Sequence, residues 1–163
     1  MKKIALFASI SVASGLLFAN MYSSLIDSRS WGTDLPHSIG VARDYFKNVN
    51  PGNFFRMFSP VNQALGIIVL LLFWKSSRSI RLYLGVALAM YLLAEGLTFQ
   101  YFFPRNDLMF RNASLNDIDL LQKTLSEWKT MNWVRSGILL TGIFFSFTAL
   151  HKIYSVQPKV ETV

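Results

Sequence analysis

An acid and a base deep inside apolar sequence are the residues of this chain with the greatest chemical capacity. Glu95 and Arg135 are the ionisable carboxylate and guanidinium well inside its long apolar stretches, and Asn20, Asn62 and Asn132 accompany them. A charge in hydrocarbon is costly, and it persists where it is paired, hydrogen-bonded or beside a wet cavity. Brought together, Glu95 would accept or donate a proton while Arg135 and Asn132 hold an anionic or phenolate oxygen. Asn20 and Asn62 would line the same pocket as substrate contacts, with Trp128 one turn beyond Asn132. The competing reading uses the same residues as glue, bonded across helices to fix their register. Both are open at the level of sequence. Glu95 and Arg135 are expected to pair with each other in either one.

The elements that must position these residues are four apolar stretches at 4–25, 59–74, 81–103 and 131–153. Each approaches the roughly 20 apolar residues that cross a bilayer core. With their connections they occupy residues 1–163 as a single four-span membrane domain, an all-α, integral membrane four-helix bundle with two longer outer loops. A composition of 52% hydrophobic residues and a mean hydropathy of +0.35 agree with lipid as a partner. Counting 1.5 Å per residue, Glu95 lies roughly 21 Å from Arg81 and Arg135 roughly 25 Å from Lys152. By the same count, Asn20 lies roughly 25 Å from Lys3 and Asn62 roughly 20 Å from Lys75. All four therefore fall in one half of a core about 30 Å thick, and a polar pocket is expected in that half.

Charge assigns that half to the outside. Lys2, Lys3, Lys75, Arg78, Arg81, Lys152 and Lys159, against Glu161, all fall on one side of a four-span chain. This positive-inside pattern puts both termini in the cytoplasm and suits a bacterial inner (plasma) membrane. The net charge of +7 thus orients the chain and gives it no basic face for nucleic acid. Leu17-Phe18-Ala19 is a poor signal-peptide cleavage site because the position two before the alanine is bulky, so the first helix is expected to be retained.

Other chemistries are excluded by composition. The chain has no cysteine, which removes disulfides, thiolate metal sites and thiol relays. His37 and His151 belong to opposite ends and share no metal; no phosphate loop, nucleophile elbow or haem motif occurs. Neither a metal nor a cofactor is therefore expected. In the first outer loop, residues 38–47 form an amphipathic helix with Ile39, Ala42, Tyr45 and Phe46 on one side, and Asn50-Pro51-Gly52 is a turn or helix start. Pro60 predicts a kink or restart in the second span and Pro104 the end of the third. Ser114 with Asp117 can cap a helix that runs from about residue 115 to Tyr154. Asn112-Ala113-Ser114 matches a glycosylation sequon. Near Glu95, Phe99 and Phe102 are the aromatic residues suited to a flat apolar ligand.

The fourth span carries a family signature. Trp128-Lys-Thr-Met-Asn132-Trp-Val-Arg135, followed by Ser136-Gly137-Ile138-Leu139, resembles the W-x-x-x-N-x-x-R segment of the anthrone oxygenase-like membrane proteins. Pro104-Arg105-Asn106 is similar to the P-x-N at the outer end of that family's third helix. The resemblance implies a four-helix bundle with both termini inside. For fungal members it implies cofactor-independent oxidation of an anthrone to an anthraquinone by molecular oxygen. Carried over, Trp128, Asn132, Arg135 and Asn106 match the motif, whereas Glu95 and Asn62 rest on depth alone. The long, Phe-rich first outer loop departs from the family pattern and leaves the aromatic substrate undefined. A non-catalytic membrane protein, whether a small-molecule binder, an accessory subunit or a packing module, stands as the alternative.

Overall fold

A computed structural model describes residues 1–111 and 117–155. The sequon Asn112-Ala113-Ser114, the cap at Ser114, and the charges at Lys159 and Glu161 lie outside the described residues. Within them the regular secondary structure is helical: α1 (Lys2–Tyr22), α2 (Ser28–Trp31), α3 (His37–Tyr45), α4 (Pro51–Leu72), α5 (Arg78–Leu97), α6 (Phe103–Phe110) and α7 (Ile118–Ser155). Wide π-type turns at Ser23–Asp27 and Thr98–Phe102 join α1 to α2 and α5 to α6. The result is four helices long and apolar enough to cross a membrane: Lys2–Trp31, Pro51–Leu72, Arg78–Phe110 and Ile118–Ser155.

Three helix boundaries differ from the sequence expectation, each for a local reason. The first helix passes Asp27 because the π turn there is bridged by Ser23 Oγ donating to Asp27 Oδ2 at 3.0 Å. Helix α4 runs through Pro60 without restarting; it begins at Pro51, where Asn50 and Asn53 form a reciprocal capping box. The third helix continues past Pro104, which sits in the first turn of α6 where a missing N–H is tolerated. At the start of α7, Asp117 caps the helix by accepting the Leu120 N–H at 2.9 Å.

The bundle is a ring in which α1 touches α4 and α7, and α5 touches the same two neighbours. The longest helix, α7, packs most extensively on α5. Three apolar layers stack along the axis. Leu6, Val69, Leu84 and Ala149 form the layer nearest the termini, where Lys3 also lies over the Tyr154 ring. A middle layer joins Ala13, Leu17, Tyr91, Leu139 and Ile143. Tyr91 is enclosed there and its hydroxyl meets Ser146 Oγ at 3.0 Å. Gly142 admits that ring: a Cβ at this position would lie 2.5 Å from a Tyr91 ring carbon. The third layer, away from the termini, groups Trp31, Ile39, Phe102, Met109, Leu121 and Trp128. Helix α3 covers this end through Ile39 and Ala42, while Tyr45 points outward and is exposed.

Candidate functional site

Between the middle and third layers a buried polar cluster surrounds Arg135. Its guanidinium Nη1 donates to Thr98 Oγ1 at 3.1 Å, and Nη2 donates to Asn132 Oδ1 at 2.6 Å and to Asn20 Oδ1. Helical spacing explains the pair on α7, since residues three apart share a face. Asn20 and Asn132 also clasp each other's helices. Asn20 Nδ2 donates to the Asn132 carbonyl at 3.0 Å and Asn132 Nδ2 to the Asn20 carbonyl at 3.0 Å. Ser136 and Ser24 accept from the same two amides at 2.7 and 2.6 Å. Small hydroxyls at these positions let α1 and α7 approach closely enough for side chains to reach backbone. Both asparagines are fully enclosed. They hold the guanidinium from behind.

The front of Arg135 faces aromatic rings and open space. Its guanidinium carbon lies 4.0 Å from the Phe102 ring centroid and 5.2 Å from that of Phe55, within the range of cation–π attraction. Beyond it is a cavity of about 320 Å³, bounded by the start of α4, the π turn Thr98–Phe102, α6 and α7. Its walls include Trp31, Phe55, Phe102 and Trp128, and exposed Lys47, Asn50 and Arg111 form a rim at the end away from the termini. Trp128 is fixed by donating from Nε1 to Asn106 Oδ1 at 2.9 Å. One residue earlier on each helix, Arg105 binds Glu127 at 2.7 Å and packs over Tyr101. Two consecutive bonds thus pin α6 to α7 above the cavity.

Glu95 and Arg135 do not form the expected ion pair. Thr98 and the two asparagines take the outer guanidinium nitrogens, and no carboxylate lies within ion-pair distance of Arg135 among the described residues. Instead Glu95 and Asn62 line a second, small cavity of about 20 Å³, adjoining the first across Phe55, Thr98 and Arg135. It is room for one water, and Arg135 Nε, Asn62 Oδ1 and Gln63 Oε1 are enclosed nearby without partners.

The structure therefore separates the sequence candidates into three groups. Arg135, Trp128 and Asn106 line the large cavity; Glu95, Asn62 and again Arg135 line the small one. Asn20 and Asn132 line neither and support Arg135. Phe102 reaches the cavity, whereas Phe99 is exposed on the bundle surface. Residues not singled out as polar candidates also contribute: Thr98 orients Arg135, and Arg43, Lys47 and Arg56 add positive charge to the large cavity. Partial burial pulls the Arg43 pKa down from its ordinary value, but a guanidinium remains protonated at neutral pH. No group of three or more metal-ligating side chains occurs among the described residues.

The lining of the large cavity carries more positive than negative charge. Arg43, Lys47, Arg56 and Arg135 have no acidic partner within ion-pair distance among the described residues. The cavity's acid, Asp107, is bonded to Arg111 at 3.3 Å. The lining is thus aromatic with an excess of cations, and Glu95, in the adjoining small cavity, is the acid whose charge acts on Arg135. In comparison with known protein families, a family model described as anthrone oxygenase matches residues 53–145, more than half of the chain. That stretch contains Trp128, Asn132, Arg135 and Asn106, and leaves out Asn20. No curated protein and no solved structure matches the chain.

Proposed function

The chain belongs to the anthrone oxygenase family, and from that premise we propose that it is a membrane enzyme oxidising an acidic aromatic substrate with molecular oxygen and no cofactor. The observation that carries the reading is Arg135, a buried guanidinium with no carboxylate within ion-pair distance among the described residues, set against aromatic rings at the inner end of the large cavity. The substrate is a fused-ring ketone with an activated CH2 group. Removal of one proton gives a delocalised enolate, and Arg135 stabilises its oxygen as charge develops. The electron-rich carbon reacts with O2 to form a peroxide, which is protonated by the acid just generated. Loss of water then leaves a carbonyl, so CH2 and O2 become C=O and H2O.

Glu95 is the proposed proton acceptor, through the water-sized cavity that it shares with Arg135. Asn132 and Asn20 act through Arg135 by fixing its orientation, while Asn106 and Trp128 shape the ring-binding wall. In the cell, the cavity opens on the outer face of a bacterial inner membrane with both termini cytoplasmic, as the basic residues at the termini end support. Oxygen uptake by purified protein given a phenolic anthrone, with chelator present and no cofactor added, tests the activity. Wild type is expected to turn over and Arg135→Gln to be about 100-fold slower or worse, the usual loss on removing an oxyanion donor. Binding without oxygen uptake would favour the alternative of a non-catalytic small-molecule binder. The asparagine clasp alone would suffice for the other alternative, a packing module.

A further inference from the structure

The small cavity gathers polar atoms that the protein itself does not satisfy. Asn62, on α4, is 1% exposed, and its Oδ1 has no hydrogen-bond partner among the described residues. Its neighbour Gln63 donates from Nε2 to the Tyr91 carbonyl at 3.1 Å, which ties α4 to α5 one turn before Glu95. That bond fixes the amide's orientation and leaves Gln63 Oε1 as the free end, enclosed and unpartnered. From α7, Arg135 Nε is the third such atom. All three side chains line one space of about 20 Å³ together with Glu95. Unbonded polar atoms are costly in such a place, so three around one cavity call for a shared partner. Two acceptors and one donor match a water, which donates twice and accepts twice. An alkali cation is disfavoured, because the guanidinium of Arg135 lines the same space.

We propose that Asn62 and Gln63 hold one ordered water in this cavity, and that this water carries the substrate proton to Glu95 and back. The relay rests on the oxygenase reading of the large cavity, which adjoins this one across Phe55, Thr98 and Arg135; the water site itself does not. As the C–H bond breaks, its electron pair stays on the substrate as the enolate. Its proton joins the water oxygen while one of the water's own protons passes to Glu95. With Glu95 protonated, all four bonds of the water are satisfied. It donates to Asn62 Oδ1 and Gln63 Oε1 and accepts from Glu95 and from Arg135 Nε. Reversal of these steps delivers the proton to the peroxide anion, so no net proton is consumed. Asn62 and Gln63 are thus positioning residues. They leave the oxyanion to Arg135 and act on proton transfer through the water alone.

Two measurements test this. The first is an experimental structure of the wild type in lipid, at a resolution that shows ordered water. One water is expected within about 2.7–3.2 Å of Asn62 Oδ1, Gln63 Oε1 and Arg135 Nε. A cavity that is dry or filled by a lipid chain would overturn the proposal outright. The second reads proton removal without oxygen, as exchange of the CH2 hydrogens of a phenolic anthrone with D2O, measured by mass spectrometry. Wild type is expected to speed that exchange over the uncatalysed rate. Gln63→Met and Asn62→Leu should each lower the catalysed rate about 10-fold at saturating anthrone, while Kd from tryptophan fluorescence stays within about twofold. The double variant should be no slower than the slower single, because both act through one water. Melting temperatures show which variants are folded and read the lost α4–α5 bond of Gln63→Met; either single variant suffices for the exchange test. Unchanged exchange in a folded variant, or losses that multiply in the double, would overturn the relay and leave oxygen uptake by wild type intact. Exchange with the expected losses but no oxygen uptake would support the relay and defeat the oxygenase reading separately. Neither exchange nor uptake would defeat both.

Discussion

Arg135 is held by three acceptors from three directions, and each can be removed singly. Asn132→Leu deletes the acceptor on the same helix and two donated bonds, one to the Asn20 carbonyl on α1 and one to Ser24 in the π turn that follows it. Interhelical hydrogen bonds in membranes average about 0.6 kcal/mol, but a stranded buried partner costs about 1–3 kcal/mol. A loss of roughly 2–3 kcal/mol is expected on this basis, measured as a lowered melting temperature in detergent. Trp128→Phe should cost about 1 kcal/mol, and the Asn106→Ala change should add little to it in a double-mutant cycle because the two share one bond. The depth of these residues was legible in the sequence because helical rise is fixed, and Asn20, Asn132 and Arg135 do meet in one layer. Their direction was not. A π turn between Thr98 and Phe102 rotates the faces of the third helix, and no residue type announces it. Glu95 was expected beside the guanidinium and lies across a small cavity from it instead, where Thr98 and the two asparagines take the outer guanidinium nitrogens.

At the scale of helices, packing of α5 on α7 depends on a residue with no side chain. Gly142→Ala would place a Cβ 2.5 and 2.9 Å from Tyr91 ring carbons and 3.3 Å from the Ala87 carbonyl. The ring is enclosed and bonded to Ser146, so it has no room to give. A loss of about 1–3 kcal/mol is expected, with Gly137→Ala, where nothing lies within 4 Å, as a neutral or slightly stabilising control. Differential scanning of the two variants in one detergent checks the contrast. Four-helix connectivity followed from apolar run length and charge, and Asn50-Pro51 was recognisable as a helix start. Pro60 and Pro104 were misleading because proline marks a break only where its missing N–H or its ring cannot be accommodated. In the first turn of α6 both are accommodated, and α4 carries Pro60 inside one continuous helix.

For the whole molecule, orientation decides which compartment supplies the substrate. The natural absence of cysteine makes single-cysteine labelling direct. In intact cells Lys47→Cys, on the exposed cavity rim, should react with a membrane-impermeant maleimide, and Ser76→Cys, in the short link between α4 and α5, should not. The reverse pattern would turn the cavity toward the cytoplasm. The account as a whole rests on Arg135 stabilising an oxyanion in that cavity. Its most direct test is the ionisation of a bound phenolic anthrone followed by absorbance without oxygen. In wild type, the apparent pKa of the bound ligand should fall at least one unit below that of the free compound, which corresponds to about 1.4 kcal/mol of preference for the anion. The shift should vanish in Arg135→Gln. An unshifted pKa in wild type, or the same shift in both proteins, would contradict it.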